Sequence, residues 1–140
     1  MDLRSEELDI MLQTILIVED NVNNRILLKD ILVYHGYTVK VASDGREGVD
    51  MARELLPDLI LMDIQMPGLD GMTAAGILKG DPVTSGLKII ALTSFAMQGD
   101  REKFLEAGFD GYLSKPISTR DLPGQIKQWL NAENKKPMRA

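Results

Sequence analysis

The chain predicts an α/β fold, an open, doubly wound domain built on a five-stranded parallel sheet. Two observations carry this. Five short apolar runs alternate with five stretches of helical periodicity, and such alternation calls for a parallel sheet covered by helices on both faces. The run Leu59-Ile60-Leu61-Met62 enters Asp63, and Met66-Pro67-Gly68 then turns the chain. A short apolar run bounded by turn residues reads as a buried strand.

Each element has its own reason. Residues 1–12 form a lead-in whose Leu8, Ile10, Met11 and Leu12 fit either a short helical turn or a docked segment. Thr14 to Val18 is a first strand, apolar on both faces, and stops at Glu19-Asp20-Asn21. Ile26, Leu27, Leu28, Ile31, Leu32 and Tyr34 give residues 22–35 a helical pattern, and Gly36 ends it. Thr38 to Val41 is a second strand. Asp44 with Glu47 resembles a capping box and opens a helix to about Leu56, stopped by Pro57. The run ending on Asp63 is the third strand. Asp70-Gly71-Met72 opens a helix that ends near Gly80. Leu87 to Leu92 is the fourth strand, ending on Thr93-Ser94. A helix from about Gln98 to Ala107 turns Phe104 and Leu105 inward, with Gly108 as its stop. Gly111 to Ser114 is the fifth strand and runs into Lys115-Pro116. Ser118 and Asp121 form another capping pattern before a last helix, whose apolar face is Leu122, Ile126, Trp129 and Leu130. The domain therefore covers residues 13–132, and residues 133–140, rich in Asn, Lys and Pro, read as a flexible tail.

Composition excludes several functions. At 140 residues the chain is one domain by length. Its net charge of −5 argues against direct, sequence-independent nucleic-acid binding, which wants a basic face. It has no cysteine, so disulfides, zinc-thiolate sites and cysteine nucleophiles are ruled out. No apolar run approaches the ~18 residues of a membrane span. The acidic, polar start is not a signal peptide. These features give a cytoplasmic expectation.

Ligands of an open parallel sheet bind beyond the carboxyl ends of its strands. Those ends carry Glu19-Asp20, Asp63, Thr93-Ser94 and Lys115. Two carboxylates ~4 Å apart repel by about 4 kcal/mol at an effective dielectric near 20, so three need a cation or shifted protonation. Oxygen ligands without His or Cys suit magnesium. Asp63 also has the chemistry of a carboxylate nucleophile toward a phosphoryl group. Each motif has a plainer reading by itself. Glu19-Asp20-Asn21 fits a helix N-cap, Thr93-Ser94 a turn, Lys115 a solvated charge, Tyr112 core packing. His35 suits a helix C-terminus and has no catalytic assignment.

Taken together, Val18-Glu19-Asp20-Asn21, Leu61-Met62-Asp63-Ile64-Gln65-Met66-Pro67, Ala91-Leu92-Thr93-Ser94 and Tyr112-Leu113-Ser114-Lys115-Pro116-Ile117 closely resemble the receiver domain of two-component response regulators. The sequence around Phe95 to Asp100 and Lys115 to Ser118 looks most like stand-alone regulators of the DivK type or receivers of hybrid histidine kinases. The resemblance implies a flavodoxin-like fold with strand order 2-1-3-4-5. It implies Asp63 as phosphoacceptor. Magnesium would be held by Asp20 and Asp63 directly, by Glu19 through water and by the Gln65 backbone carbonyl. Thr93, Lys115 and the Ser94 backbone would bind the phosphoryl group, with Tyr112 following as the switch aromatic. The Lys115–Pro116 peptide is commonly cis in this family. Glu19 departs from the aspartate of many members by one methylene.

The implied partners are a sensor histidine kinase or histidine phosphotransfer protein upstream and a protein target downstream, for a monomer or a phosphorylation-dependent homodimer. No room follows residue 132 for an output domain. The signal would leave through the face of the fourth and fifth strands and their helices, around Phe95, Met97, Tyr112 and Ile117. A phosphate sink or relay intermediate is an alternative output. The only expected catalysis is magnesium-dependent self-phosphorylation and self-dephosphorylation. A true aspartyl phosphatase wants a second acid two residues past the nucleophile, where this chain has Gln65. A phosphorylation-independent scaffold would not need the complete set of acid, hydroxyl and amine. Gln65 and Phe95 would flank the phosphoryl group and tune its lifetime.

Overall fold

A computed structural model describes residues 13–94 and 100–132. The expectations for the lead-in, for the tail, and for Phe95, Met97 and Gln98 lie outside the described residues. Five strands, β1 (Thr14–Val18), β2 (Thr38–Ala42), β3 (Leu59–Asp63), β4 (Ile89–Thr93) and β5 (Gly111–Ser114), alternate with α1 (Val22–Tyr34), α2 (Gly45–Leu55), α3 (Gly71–Gly80), α4 (Asp100–Ala107) and α5 (Leu122–Asn131). The strands form one parallel sheet in the order β2-β1-β3-β4-β5.

The alternation of side chains along a strand divides the core in two. Leu16, Val18, Ile60, Met62, Ile89 and Ala91 face one way, against Val49 and Ala52 of α2, Ala74, Ala75 and Leu78 of α3, and Phe104 of α4. Ile15, Ile17, Leu59, Leu61, Ile90 and Leu92 face the other way, against Leu28 and Leu32 of α1 and Leu122 and Ile126 of α5. Every residue of β3 and β4 is buried, as central strands covered on both faces require. Among the described residues, no helix is long and apolar enough to cross a membrane.

Side-chain caps set the helix starts. Asn21, Asp44 and Asp70 accept hydrogen bonds from the backbone N–H groups of Asn24, Glu47 and Thr73. The reciprocal bond of the α2 cap goes to Ser43, whose N–H donates to Glu47 at 2.7 Å. At the far end, α1 closes on Gly36 at φ 96°, a conformation that favours glycine. Ser118 accepts the N–H of Asp121 and donates to its carboxylate, and Asp121, the N-cap of α5, makes no side-chain cap of its own.

Two sequence expectations are corrected and one is refined. Leu105 points outward and is 47% exposed, so Phe104, with Ala107 packed beside it, carries the inward face of α4. The helical pattern of α1 holds, but it is wider than the buried face: only Leu28 and Leu32 reach the sheet, with Ile31 packed beside them, and Ile26, Leu27 and Tyr34 are exposed. The fourth strand begins at Ile89, two residues later than the apolar run suggests. Lys88 instead turns its ammonium to the carbonyls of Trp129 and Ala132 at the end of α5, at 2.7 and 2.6 Å.

Candidate phosphoacceptor site

The site is assembled by strand register. Val18 of β1 lies beside Met62 of β3, so Glu19 and Asp63 follow one step on, side by side. Thr93 is the last residue of β4 and pairs with Ser114 of β5. The N–H of Lys115 extends that ladder by donating to the Thr93 carbonyl at 2.7 Å. The Lys115–Pro116 peptide is cis.

These four strand ends bring an ammonium onto paired acids. Lys115 Nζ lies 2.9 Å from Glu19 Oε1 and 3.1 Å from Asp63 Oδ1. Asp63 Oδ1 also accepts the Gln65 N–H at 3.2 Å. Carboxylate oxygens of Glu19, Asp20 and Asp63 all lie within 4.8 Å of one another. Glu19 and Asp63 are buried and Asp20 is exposed. A cleft of ≈ 500 Å³ opens over them, lined by Asp20, Asn24, Asp63, Gln65, Thr93, Ser94 and Lys115.

Asn21 caps α1, Asp20 lines the cleft and Glu19 is wholly buried. The extra methylene of Glu19 carries its carboxylate to Lys115. Tyr112 lies away from this cleft. Its ring packs on Phe104 at 5.8 Å, beside a second cavity of ≈ 220 Å³ that also touches Leu105 and Trp129.

Electrostatics fit a cation site. Burial first, and the Glu19 carboxylate second, push the Asp63 carboxyl up to about 6, against the pull of Lys115. Burial alone would push the Lys115 ammonium down, but Glu19 and Asp63 together hold its pKa above the usual value. The Glu19 carboxylate is wholly buried, and its Oε1 has the Lys115 ammonium 2.9 Å away as its charge partner. Three gathered carboxylates, with no His or Cys among them, are a donor set suited to magnesium.

Sequence reasoning missed Arg25. It reads as a solvated helix cation, yet its Nη1 donates to the Glu19 carbonyl at 2.8 Å, six positions back. Six is not a helical repeat, so no periodicity in the sequence marks the contact.

Known proteins share this arrangement. Residues 15–127 match the family model of the response regulator receiver domain. The polar-differentiation response regulator DivK of Brucella ovis is 42% identical over 120 residues, spanning 86% of this chain and 98% of that protein. The receiver domain of the sensor histidine kinase PA1611 from Pseudomonas aeruginosa, solved with magnesium coordinated in its active-site cleft, is 38% identical at a TM-score of 0.79, covering 86% of this chain and 98% of that one. A chain in the co-crystal structure of the Saccharomyces cerevisiae phosphotransfer protein Ypd1 with the receiver domain of Ssk1 is 32% identical at a TM-score of 0.80, covering 90% and 94%. A flavodoxin-like sheet that gathers two acids, an aspartate, a threonine and a lysine at its carboxyl edge, in a sequence this similar, belongs to the receiver-domain family of two-component response regulators.

Proposed function

We propose that the chain receives a phosphoryl group on Asp63 from a phosphohistidine of a sensor kinase or phosphotransfer protein, and passes the signal on by protein contact. The observation that carries this is the Asp63 carboxylate, buried at the end of β3, with the Lys115 ammonium 3.1 Å away and two more carboxylates within 4.8 Å. Asp20, Asp63, Glu19 and the Gln65 carbonyl would hold magnesium. The ion would supply neutralisation of the phosphoryl charge.

The remaining roles belong to the chain. With a pKa of about 6, Asp63 is mostly ionised at neutral pH and able to attack. One of its oxygens bonds to phosphorus, the P–N bond of the phosphohistidine breaks, and the imidazole nitrogen leaves with the electron pair and takes up a proton. Lys115 follows the charge onto a phosphoryl oxygen, and the Thr93 hydroxyl and Ser94 N–H bind others. Thr93 then draws inward and Tyr112 follows, changing the β4-α4-β5-α5 face and its cavity against Trp129. Such a switch needs two packings of similar energy that the phosphoryl contacts bias.

Incubation with magnesium and acetyl phosphate or phosphoramidate should add one phosphoryl group by intact mass, and EDTA should prevent it. No gain under any donor would contradict the reading.

The exposed apolar residues of α1 beside the cleft, Val22 at 54% and Ile26 at 51%, fit a helical phosphodonor. Ile26→Asp should slow transfer from a phosphotransfer protein at least tenfold and leave labelling by acetyl phosphate unchanged. Equal slowing with both donors would place the defect in the site instead. Gln65 and Phe95 tune the lifetime of the product. Excluding water protects a reactive intermediate, so Phe95→Glu or Phe95→Ala should speed loss of radiolabelled phosphate, and unchanged or slower loss would count against it.

A further inference from the structure

Arg25 is a half-buried cation beside the acids that the phosphoacceptor chemistry leaves unused. Its guanidinium is spent on a neutral carbonyl, that of Glu19. Other bonds make this contact a closure. The Glu19 N–H donates to Ala42 of β2 at 3.1 Å, and the Arg25 N–H donates to the Asn21 carbonyl at 3.0 Å. Asn21 in turn caps α1 through Asn24. Glu19 is thus pinned by its N–H to the sheet and by its carbonyl to the helix, and that carbonyl belongs to the peptide leading to Asp20. Asp20 needs such help. Lys115 restrains Glu19 and Asp63, whereas Asp20 is the exposed acid of the three and takes its aim from the loop backbone.

We propose that Arg25 is a positioning residue, whose bond to the Glu19 carbonyl holds the β1–α1 loop so that Asp20 faces the cleft ready for a divalent cation. This rests on the reading that the three acids hold magnesium. Groups that orient metal ligands from behind are worth about 10–100-fold in metal affinity. The planar, forked guanidinium suits a fixed backbone contact better than a flexible ammonium does.

The sign of the effect separates positioning from charge. Removing a positive charge near a cation site tightens binding if only Coulomb forces act. Loss of positioning weakens it. Magnesium chloride would be titrated by calorimetry into the EDTA-treated, dialysed full chain and its Arg25→Met, Arg25→Lys and Lys29→Met variants. Lys29 is an exposed cation on the same helix. Arg25→Met should bind magnesium at least tenfold more weakly while melting in EDTA within a few degrees of the unaltered chain. Arg25→Lys should recover part of the affinity, and Lys29→Met should bind as tightly or tighter. Equal or tighter binding by Arg25→Met overturns the proposal. So does weaker binding that comes with a collapsed melting transition and is not relieved by Arg25→Lys. Failure of the unaltered chain to bind magnesium overturns the functional reading, and the role of Arg25 with it.

Discussion

Asp63→Asn should take up no phosphoryl group and yet melt higher than the unaltered chain in EDTA at pH 8. The first effect removes the nucleophile, since an amide oxygen is a far weaker one than a carboxylate. The second follows from linkage. The folded Asp63 carboxyl titrates near 6, against 3.8 for its ordinary value, so the folded state holds this proton more tightly than the unfolded state. A carboxyl with a raised pKa costs stability as pH climbs from about 4 to about 6, and the full cost persists above that window. A shift of about two units corresponds to roughly 3 kcal/mol. That shift is already net of the Lys115 attraction, so a gain of up to roughly 3 kcal/mol is expected, on the order of 10 °C in melting temperature. The gap should shrink toward pH 4, where both chains carry a neutral group. Magnesium at ten times its Kd should stabilise the unaltered chain by about 1.4 kcal/mol and the variant much less. Melting curves from pH 4 to pH 8, with and without magnesium, check all of this. A gap that is absent at pH 8, or that widens in acid, contradicts the electrostatic account of the site.

Gly71→Ala should damage both the fold and the site, although it adds one methyl group. A Cβ at Gly71 would lie 2.2 Å from the Asp63 carbonyl oxygen and 2.9 Å from the Ile64 Cα. Both are backbone atoms, so no side chain can move aside. The Gly71 N–H also donates to the Ile64 carbonyl at 3.0 Å. The first turn of α3 is thus pressed onto the segment that carries Asp63. Overpacking of this kind costs about 1–3 kcal/mol. Displacing a reacting group by ~1 Å costs on the order of 100-fold in rate. The variant should melt lower by several degrees and take up phosphoryl groups about 100-fold more slowly. Gly76→Ala is the matched control. Its Cβ would meet nothing within 4 Å, and alanine in an exposed helix gains about 1 kcal/mol over glycine. A Gly71→Ala chain that melts and labels like the unaltered one would remove the close approach from the account.

The fold was legible because its strands are written plainly. Leu59 to Met62 and Thr14 to Val18 are short, apolar on both faces and followed by polar residues, which only a parallel sheet covered on both sides accommodates. Once the strands are parallel, their carboxyl ends share an edge, so the meeting of Glu19, Asp63, Thr93 and Lys115 follows from chain order alone. What sequence could not rank was exposure. Ile26 and Leu28 are equally apolar, and only the pitch of α1 against the sheet decides that one is half exposed while the other is buried. Leu105 misled for the same reason. The resemblance set Asp20 apart from Glu19 as a direct ligand against one acting through water, but did not show the burial of Glu19 beside the Lys115 ammonium. Register puts Glu19 in the protein interior against Lys115 and Asp20 at the rim. Arg25 stayed invisible because its partner is a backbone carbonyl, and a carbonyl has no letter in a sequence.

The most direct measurement is the position of the acyl phosphate. The chain would be labelled with acetyl phosphate and magnesium, reduced with borohydride and mapped by peptide mass spectrometry. Borohydride converts an aspartyl phosphate to homoserine. The account predicts homoserine in place of Asp63, in the peptide that contains Met62 and Ile64, and none at Asp20 or any other acid. Modification of Asp20, or a label on His35 that survives with Asp63 intact, would contradict it.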